Sequence, residues 1–305
     1  MKKLVSFALC LLLGAAFLLC GCDKQGELRH VTLNEVTRSV FYAPLYVAVS
    51  RGFFEAEGME IEIVTGGGSD KSMTALLAQL TKRDGSFLVG READDAFDWK
   101  SLQGKSIIGG RPGGMPFMTL EYVLKQHGLT PGVDVEVINN IQFNLMGGAF
   151  ESGTGDFVTL FEPTASEFEA AGKGHIVANV GMESGEVPYT AFMVAPDTIK
   201  DDPAFVEAFV RALYRAQLWV QSASDAEIAE AMQPFFPDSS VETLSAVAQS
   251  YRATDSWTQT PVMSEDSFTR LQDIMESAGE LSERVEFTEL VDNSFAEAAV
   301  EEAGK

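Results

Sequence analysis

Segments with a period of two alternate with segments of helical period along the first part of the chain. His30–Val36 and Met59–Val64 alternate apolar and polar positions, which predicts two strands. Between them, Pro44 can begin a helix that runs to Arg51 and ends at Gly52. A strand–helix–strand order is typical of an α/β fold with a parallel sheet. We therefore expect the chain to form an α/β protein.

The stretch Ser106–Lys125 predicts a buried strand, a glycine-rich turn and the start of a helix. Ile107 and Ile108 are apolar and β-branched, as a buried strand requires. The glycines of Gly109–Gly114 suit a tight turn, and Pro116 suits the first turn of the helix. A helix N-terminus offers unpaired N–H groups and the positive end of the helix dipole. We interpret this turn as one side of a ligand cleft.

The same criteria predict the remaining elements. Further strands are expected at 86–89, 133–138, 157–161, 175–180 and 189–194. Further helices are expected at 71–78, 117–126, 142–150 and 164–171. From residue 202 onward the pattern is helical, and the predicted N-caps are Asp202, Ser224, Ser239 and Ser264.

Length and charge narrow the class of protein. The 305 residues, 46% of them hydrophobic, can bury a large core and form two lobes. The formal net charge is −23, and no cluster of Lys and Arg follows residue 3. A nucleic-acid-binding protein would carry a basic face, so we expect no nucleic-acid partner.

The N-terminal segment has the features of an export signal. Lys2 and Lys3 precede an apolar run, Leu4–Leu19, which ends in the sequence Leu-Cys-Gly-Cys at Cys22. This ending resembles a bacterial lipobox, which implies a signal peptide over residues 1–21 and a lipid on Cys22. Residues 22–29 would then tether the protein to the membrane. The alternative is a transmembrane anchor, for which the apolar run is short.

Groups that usually carry catalysis are sparse. All three cysteines lie at or before Cys22, so we expect no disulfide and no cysteine metal site. The histidines His30, His127 and His175 form no metal-binding motif, and no nucleophile-elbow motif occurs. Gly66–Ser72 resembles a phosphate-binding loop but has Asp at position 70, where that motif requires glycine. We therefore expect neither enzymatic activity, nor a metal, nor a cofactor.

Candidate ligand contacts follow the predicted strands, because ligands of doubly wound sheets bind at the carboxyl ends of the strands. The candidates are Phe41, Tyr42, Thr65, Gly67, Ser69, Arg111, Gly113, Gly114, Met115, Thr159, Glu162 and Tyr189.

Several of these candidates have a structural alternative. Glu162 follows an apolar strand and could accept a hydrogen bond from an amino group, or it could stabilise the helix that starts near Thr164. Tyr42 and Tyr189 could stack on a ring or pack in the core. Arg111 favours an anionic group, although it could also be solvated. The residues alone do not decide between these alternatives.

Several stretches together resemble the substrate-binding proteins of ABC importers. Val40–Ala48, Arg51–Met59 and Asp70–Ala78 resemble the branch that binds nitrate, sulfonates, taurine or thiamine-pyrimidine precursors. Gly109–Pro116 and Gly155–Pro163 are similar to the same branch. The resemblance implies a two-lobed fold of the type II periplasmic-binding-protein class, crossed by two strands, that closes on a ligand between the lobes.

The resemblance also implies an organisation and a function. Lobe one would comprise 30–87 and 190–305, and lobe two would comprise 88–189. The protein would be a monomer that captures a small polar or anionic solute (a sulfonate, nitrate, a taurine-like compound or an aminopyrimidine). It would deliver this solute to an ABC permease and its ATPase subunits. Its expected location is the extracytoplasmic face of a bacterial cell membrane, which is the periplasm in a Gram-negative cell.

Two alternatives accompany this function. The first is a degenerate, lipid-anchored binding or sensor protein with a vestigial cleft. The second is an enzyme related to the fungal pyrimidine-precursor synthases, which share this fold. Such an enzyme is intracellular and would need histidine and metal-binding clusters that the sequence does not contain.

The chain departs from the family pattern after Ala78. The family continues there with a strand, a helix and another strand, whereas here Ala78 joins Gln79 directly. The missing segment amounts to roughly 30 residues at ordinary element lengths. We therefore expect either a reduced first lobe with a gap in its sheet or a family member that binds weakly.

Overall fold

The computed structural model describes residues 27–65 and 75–304. The expected lipidation at Cys22 and the candidate ligand contacts Gly67 and Ser69 lie outside the described residues. Among the described residues, no helix is both long and apolar enough to cross a membrane.

The first strand–helix–strand unit forms as its pattern predicts. Strand β1 (Arg29–Glu35) pairs in parallel with β2 (Met59–Thr65). The connection contains α1 (Ala43–Ser50) and the short α2 (Phe53–Ala56). Pro44 lies in the first turn of α1, where its missing N–H leaves no hydrogen bond unmade. The alternation of the sequence therefore places this unit correctly.

The predicted helix over 71–78 is wrong in its described part. Residues Ala75–Thr81 form strand β3, which pairs antiparallel with β9 (Thr190–Val194). The Gln79 N–H also donates to the Pro261 carbonyl at 2.8 Å. These tertiary hydrogen bonds outweigh the helical preference of a Leu-Leu-Ala-Gln sequence, because propensities differ by only about 0.7 kcal/mol per residue. The join at residue 78 thus lies inside a strand, and the position and size of the missing segment stay a prediction.

Besides the β1–β2 and β3–β9 pairs, a sheet of five strands has the order β6-β5-β7-β4-β8. Their bounds are β4 Ser86–Gly90, β5 Ser106–Ile108, β6 Glu136–Ile138, β7 Phe157–Phe161 and β8 His175–Asn179. Strand β5 is parallel to both β6 and β7, whereas β4 is antiparallel to β7 and β8. The sheet is therefore mixed and not wholly parallel as expected. The helices among its strands are α3 Met115–Gln126, α4 Met146–Glu151, α5 Thr164–Ala170 and α6 Val180–Ser184.

The C-terminal part is helical. Its helices are α7 Pro196–Asp201, α8 Pro203–Ser222, α9 Asp225–Met232, α10 Val241–Ala253, α11 Glu265–Ser277, α12 Phe287–Leu290 and α13 Ser294–Ala303. The capping box at Ser224 is confirmed, since Ser224 and Glu227 each accept from the other's backbone N–H. The predicted cap at Ser239 is wrong by one residue, because Ser240 accepts from the Thr243 N–H. Two adjacent serines made the sequence ambiguous there.

One hydrophobic core extends through both lobes. It combines side chains of α1, α8 and α10 with side chains of the five-stranded sheet, such as Phe87 and Val158. Helix α11 packs against α3, and the Lys125 ammonium donates to the Ser277 carbonyl at 2.5 Å. The C-terminal helices therefore contact the five-stranded sheet's own helices. The division between the lobes at residues 87 and 189 stays a prediction.

Truncation of Leu80 tests whether β3 is a buried strand. Leu80 is 1% exposed, whereas Leu218 on α8 is 38% exposed. We expect Leu80→Ala to lower the free energy of unfolding by about 2–5 kcal/mol and Leu218→Ala to lower it by less than about 1 kcal/mol. Urea denaturation measures both. Equal losses from the two substitutions would contradict the buried position of β3.

Candidate functional site

The ring of Phe41 lies where the two lobes meet. Its centroid is 5.0 Å from the ring of Tyr251, 5.6 Å from that of Tyr189 and 6.0 Å from that of Phe161. The Trp257 indole N–H donates to the Phe41 carbonyl at 3.0 Å. Phe41 is only 1% exposed, so its ring is enclosed by other residues of the protein. Its packing therefore fixes the junction of the lobes.

A glycine makes this packing possible. A Cβ atom at Gly85 would lie 2.7 Å from the Phe41 ring and 3.0 Å from the Phe161 ring. Any larger residue at position 85 would push one of these rings away. The chain passes from β3 to β4 at this point, so the close approach occurs on a segment that connects the β3–β9 pair to the five-stranded sheet.

A buried carboxyl group lies on the same connection. Asp84 is fully buried, and its Oδ1 atom accepts from the backbone N–H of Ser86 at 2.8 Å and from the Ser86 hydroxyl. Burial raises the pKa of Asp84, whereas the hydrogen bonds from Ser86 act in the opposite direction. Burial and the charge of Asp84 also raise the pKa of Tyr189 well above its ordinary value. The crossing segments therefore hold two ionisable groups that are both shifted toward their neutral forms.

Sequence reasoning missed Glu35, at the carboxyl end of β1. Its carboxylate accepts from Tyr46 Oη at 2.7 Å and from Thr65 Oγ1 at 3.0 Å, and Arg38 Nε lies 2.8 Å away. Burial and the negative charge of Glu35 raise the pKa of the neighbouring Tyr42 to about 12. The Glu35 carboxylate thus joins the ends of β1 and β2.

A signal for Glu35 was present in the sequence. Glu35 has the same parity along β1 as Val31 and Leu33, so alternation places all three side chains on the inward face. A carboxylate on the inward face of a strand needs hydrogen-bond donors, and the nearby Arg38 and Tyr46 were available.

The glycine-rich turn precedes α3 as expected. Gly113 has a φ of +76°, which favours glycine, and a Cβ there would lie 3.5 Å from Glu280 Oε1. Gly114 is the N-cap of α3, and no side chain caps that helix. Arg111 is exposed and forms no ion pair with any residue that the structure describes. The turn therefore presents unpaired N–H groups and one guanidinium.

The start of α3 lies beside the crossing segment. Met115 and Tyr189 both pack against one cluster, which contains Met118, Val187 and Ile274. The candidates Met115 and Tyr189 therefore lie in one region. The ring of Tyr189 also packs against Phe41, which in turn packs against Tyr42.

Two other candidates are engaged within the protein. Both carboxylate oxygens of Glu162 accept from Ser166, at 2.8 Å from the hydroxyl and at 3.0 Å from the backbone N–H. Thr159 is 3% exposed, and its hydroxyl donates to the Ile108 carbonyl at 3.4 Å. The Glu162 carboxylate therefore has the structural role of stabilising the start of α5, the second of its two sequence interpretations. A ligand role for either residue stays a prediction.

A cavity of about 470 Å³ lies between β1 and β9. One end reaches Glu35 and Tyr42, and the other end reaches Arg29 and Phe205. Its lining combines apolar side chains of β1, β3, β9, α1 and α8. The cavity therefore follows β1, and one of its ends lies beside the aromatic junction.

Two family models match the chain. The model described as the NMT1-like family matches residues 78–233, and the model described as NMT1/THI5 like matches residues 40–85. A protein of Bacillus subtilis (strain 168) that carries the name binding protein YtlA is 40% identical over 315 residues, which cover 94% of each chain.

The chain belongs to the NMT1-like family. Its alignment with the Bacillus relative is longer than its own 305 residues, so the relative has residues with no counterpart here. Over part of the aligned region, this chain is therefore shorter than the Bacillus relative.

Solved structures of low sequence identity share the fold. The alkanesulfonate-binding protein SsuA from Xanthomonas axonopodis pv. citri has a TM-score of 0.65 and 15% identity, over 88% of this chain and 99% of that one. The desulfurization enzyme DSZB has a TM-score of 0.63 and 16% identity, over 90% and 99%. The two-lobed periplasmic-binding-protein fold and the resemblance to binding proteins of ABC importers are therefore confirmed.

Substitution of Asp84 tests the buried carboxyl. The native protein holds a proton on Asp84 to a higher pH than the unfolded chain does, so stability falls as the pH rises above the ordinary Asp pKa of about 4. Asp84→Asn removes this dependence and keeps an oxygen acceptor for Ser86. We expect the free energy of unfolding of Asp84→Asn, minus that of the unaltered protein, to increase from about pH 4 upward. Urea denaturation at a series of pH values measures this difference.

The control is Asp197→Asn, on an exposed residue in the first turn of α7. Its stability should follow that of the unaltered protein across the pH range. A constant difference between Asp84→Asn and the unaltered protein would contradict the raised pKa of Asp84.

Proposed function

We propose that the protein is the extracytoplasmic solute-binding component of an ABC importer. It captures a small polar or anionic solute between its lobes and delivers that solute to a permease. The observation that carries this proposal is the exposed Arg111 guanidinium, which forms no ion pair with any described residue, beside the uncapped N-terminus of α3.

The dipole of α3 and the Arg111 guanidinium favour a negative or strongly polar group at the glycine-rich turn, and they act against the carboxylate of Glu280 beside Gly113. Helix α3 has 12 residues, so its dipole places partial positive charge at Gly114 and Met115. Pro116 has no N–H, so the first turn offers the N–H groups of Met115 and Phe117, which no side chain caps. Arg111 adds a full charge that can bind a carboxylate or sulfonate through two parallel hydrogen bonds.

The aromatic residues at the junction supply the remaining surface. Tyr42 and Tyr189 are both partly exposed, and each ring packs against the buried Phe41 ring. The raised pKa of Tyr42 keeps its hydroxyl protonated, so it can donate to a solute, whereas the Tyr189 hydroxyl is hydrogen-bonded to Asp84. Each Glu162 oxygen accepts one hydrogen bond from Ser166 and keeps a second lone pair, with which it could accept from an amino group on the solute.

The relatives also support a role in binding a small solute. The Bacillus relative is named a binding protein, and the Xanthomonas structure is that of an alkanesulfonate-binding protein bound to MOPS, a sulfonate. The desulfurization enzyme shows that the fold can also host an enzyme. We favour a non-enzymatic role here because the sequence carries none of the histidine, cysteine or nucleophile motifs that hydrolysis or metal chemistry would use.

The export signal, the lipid on Cys22 and the delivery to a permease belong to the same proposal. A lipid-anchored protein outside the membrane would meet an importer from the side on which the solute arrives. Closure of the lobes around the solute would then present a loaded form to the permease. The protein would act as a monomer in this cycle.

A second candidate is a lipid-anchored sensor or degenerate binding protein with a vestigial cleft. The separation of β1–β2 from β3–β9 favours it, because one lobe has a divided sheet among the described residues. Affinity distinguishes the two candidates: a transport protein should bind its solute tightly, and a vestigial cleft should not.

Arg111 provides the test of the binding site. Titration calorimetry of the soluble protein, from residue 23 onward, would use ethanesulfonate, taurine, nitrate and an aminopyrimidine. We expect saturable binding of at least one anion, weakened about 10- to 100-fold by Arg111→Ala because a charge-assisted pair is lost.

The matched control is Arg284→Ala, which removes an exposed arginine that pairs with Asp273 and Glu276. It should leave the affinity unchanged within about twofold. Binding of no compound in the set, or equal weakening by the two substitutions, would contradict the proposed site.

A further inference from the structure

Two strand edges face each other across the first lobe. Strand β1 pairs with β2 on one side, and β9 pairs with β3 on one side. No pairing joins β1 to β9 among the described residues, although both strands line the same cavity. We call the space between Arg29–Glu35 and Thr190–Val194 the β1–β9 gap.

The backbone groups on the β1 side can be assigned. The Arg29 N–H donates to the Gly58 carbonyl at 2.9 Å, so Arg29 bonds toward β2. Backbone groups of successive residues point alternately to the two sides of a strand. His30, Thr32 and Asn34 therefore direct their N–H and C=O groups into the β1–β9 gap, where no described backbone group bonds to them.

The β9 side is open for a related reason. The outer edge of β3 is covered by residues 256–261, through hydrogen bonds such as Lys82 N–H to the Ser256 carbonyl at 2.9 Å. Strand β3 thus lies between that segment and β9, which leaves β9 with one unpaired edge. That edge faces β1, because residues of both strands line the cavity between them.

The floor of the gap is apolar. Val31 and Leu33 of β1, Phe192 of β9, and Phe205 and Phe209 of α8 line the cavity of about 470 Å³. An apolar small molecule would cover this floor but would leave both rows of backbone groups without partners, which costs free energy for every buried group. A polypeptide backbone satisfies both rows at once.

We propose that the β1–β9 gap binds an extended, cationic segment of another polypeptide, which adds as a strand between β1 and β9. This addition would join the two strand pairs into one five-stranded sheet. The proposal does not depend on solute binding at Arg111, because Arg111 does not line the cavity.

The pattern of burial on β1 specifies the side chains of this segment. Val31 and Leu33 are half-buried on the inner face, whereas Thr32 and Asn34 are exposed on the outer face. An added strand would therefore alternate apolar residues, facing α8, with polar residues facing outward.

Charge specifies the polar positions. Glu60 and Glu62 are exposed on the neighbouring β2, on a chain whose formal net charge is −23. Lysine or arginine at the outward positions of the added segment would complement this face and speed association.

A blocked seven-residue peptide with the sequence lysine-valine-threonine-valine-threonine-valine-lysine is a suitable probe, since it matches the seven residues of β1. Backbone hydrogen exchange of residues 30, 32 and 34 reads the contact directly. We expect fast exchange in the free protein and at least about tenfold slower exchange with saturating peptide. The same peptide with N-methyl groups on alternate residues should bind about 10-fold or more weakly.

Two matched variants locate the site. Val31→Trp would fill the gap, whereas His30→Trp places the same side chain on the exposed outer face of β1. We expect Val31→Trp to weaken peptide binding about 10-fold or more and His30→Trp to change it by less than about twofold. Arg111→Ala should leave peptide binding unchanged.

Several results would overturn the proposal. Slow exchange of residues 30, 32 and 34 in the free protein would mean that part of this chain already fills the gap. Protection that grows with protein concentration would mean that a second copy fills it. Failure of the peptide to protect these amides, or equal weakening by Val31→Trp and His30→Trp, would exclude an added strand in this position.

Discussion

The packing of the Phe41 ring is the interaction on which the arrangement of the lobes depends. This ring contacts Tyr189 from the crossing segment, Phe161 from the five-stranded sheet and Tyr251 from α10, and Trp257 holds its carbonyl. Aromatic pairs of this kind each contribute about 0.5–1.5 kcal/mol beyond the burial of their area. Because the contacts come from segments distant in sequence, the ring couples the end of β1 to both lobes. Any solute bound at the junction would therefore act on the same contacts that set the angle between the lobes.

The divided sheet of the first lobe is the second constraint. Open strand edges are a liability in most proteins, which cover or charge them to avoid unwanted pairing. Here the end of β1 keeps its position without a neighbour toward β9, because Glu35 is held by Tyr46, Arg38 and Thr65. This cluster preserves the end of β1 that faces the junction while the edge itself stays unpaired among the described residues. One lobe can thus keep its part of a binding site and still offer a strand-shaped gap to a partner.

The sequence predicted those features that depend on local pattern. Alternation located β1, and glycine and proline located the turn before α3, since both signals act within a few residues. Strand β3 was assigned as a helix because its hydrogen bonds go to β9 and residues 256–261, which no local pattern reveals. Local pattern leaves two roles open for Glu162, and the donor Ser166 decides which one the structure adopts.

The central claim is that the junction of the lobes holds a small solute. Native mass spectrometry of the soluble protein, purified without denaturation from cells of its source, tests this claim most directly. We expect a second species that is heavier than the polypeptide by the mass of one small polar or anionic molecule, which is released on denaturation. A single species with the mass of the polypeptide alone, together with no mass increase after incubation with sulfonates, nitrate and aminopyrimidines, would contradict it.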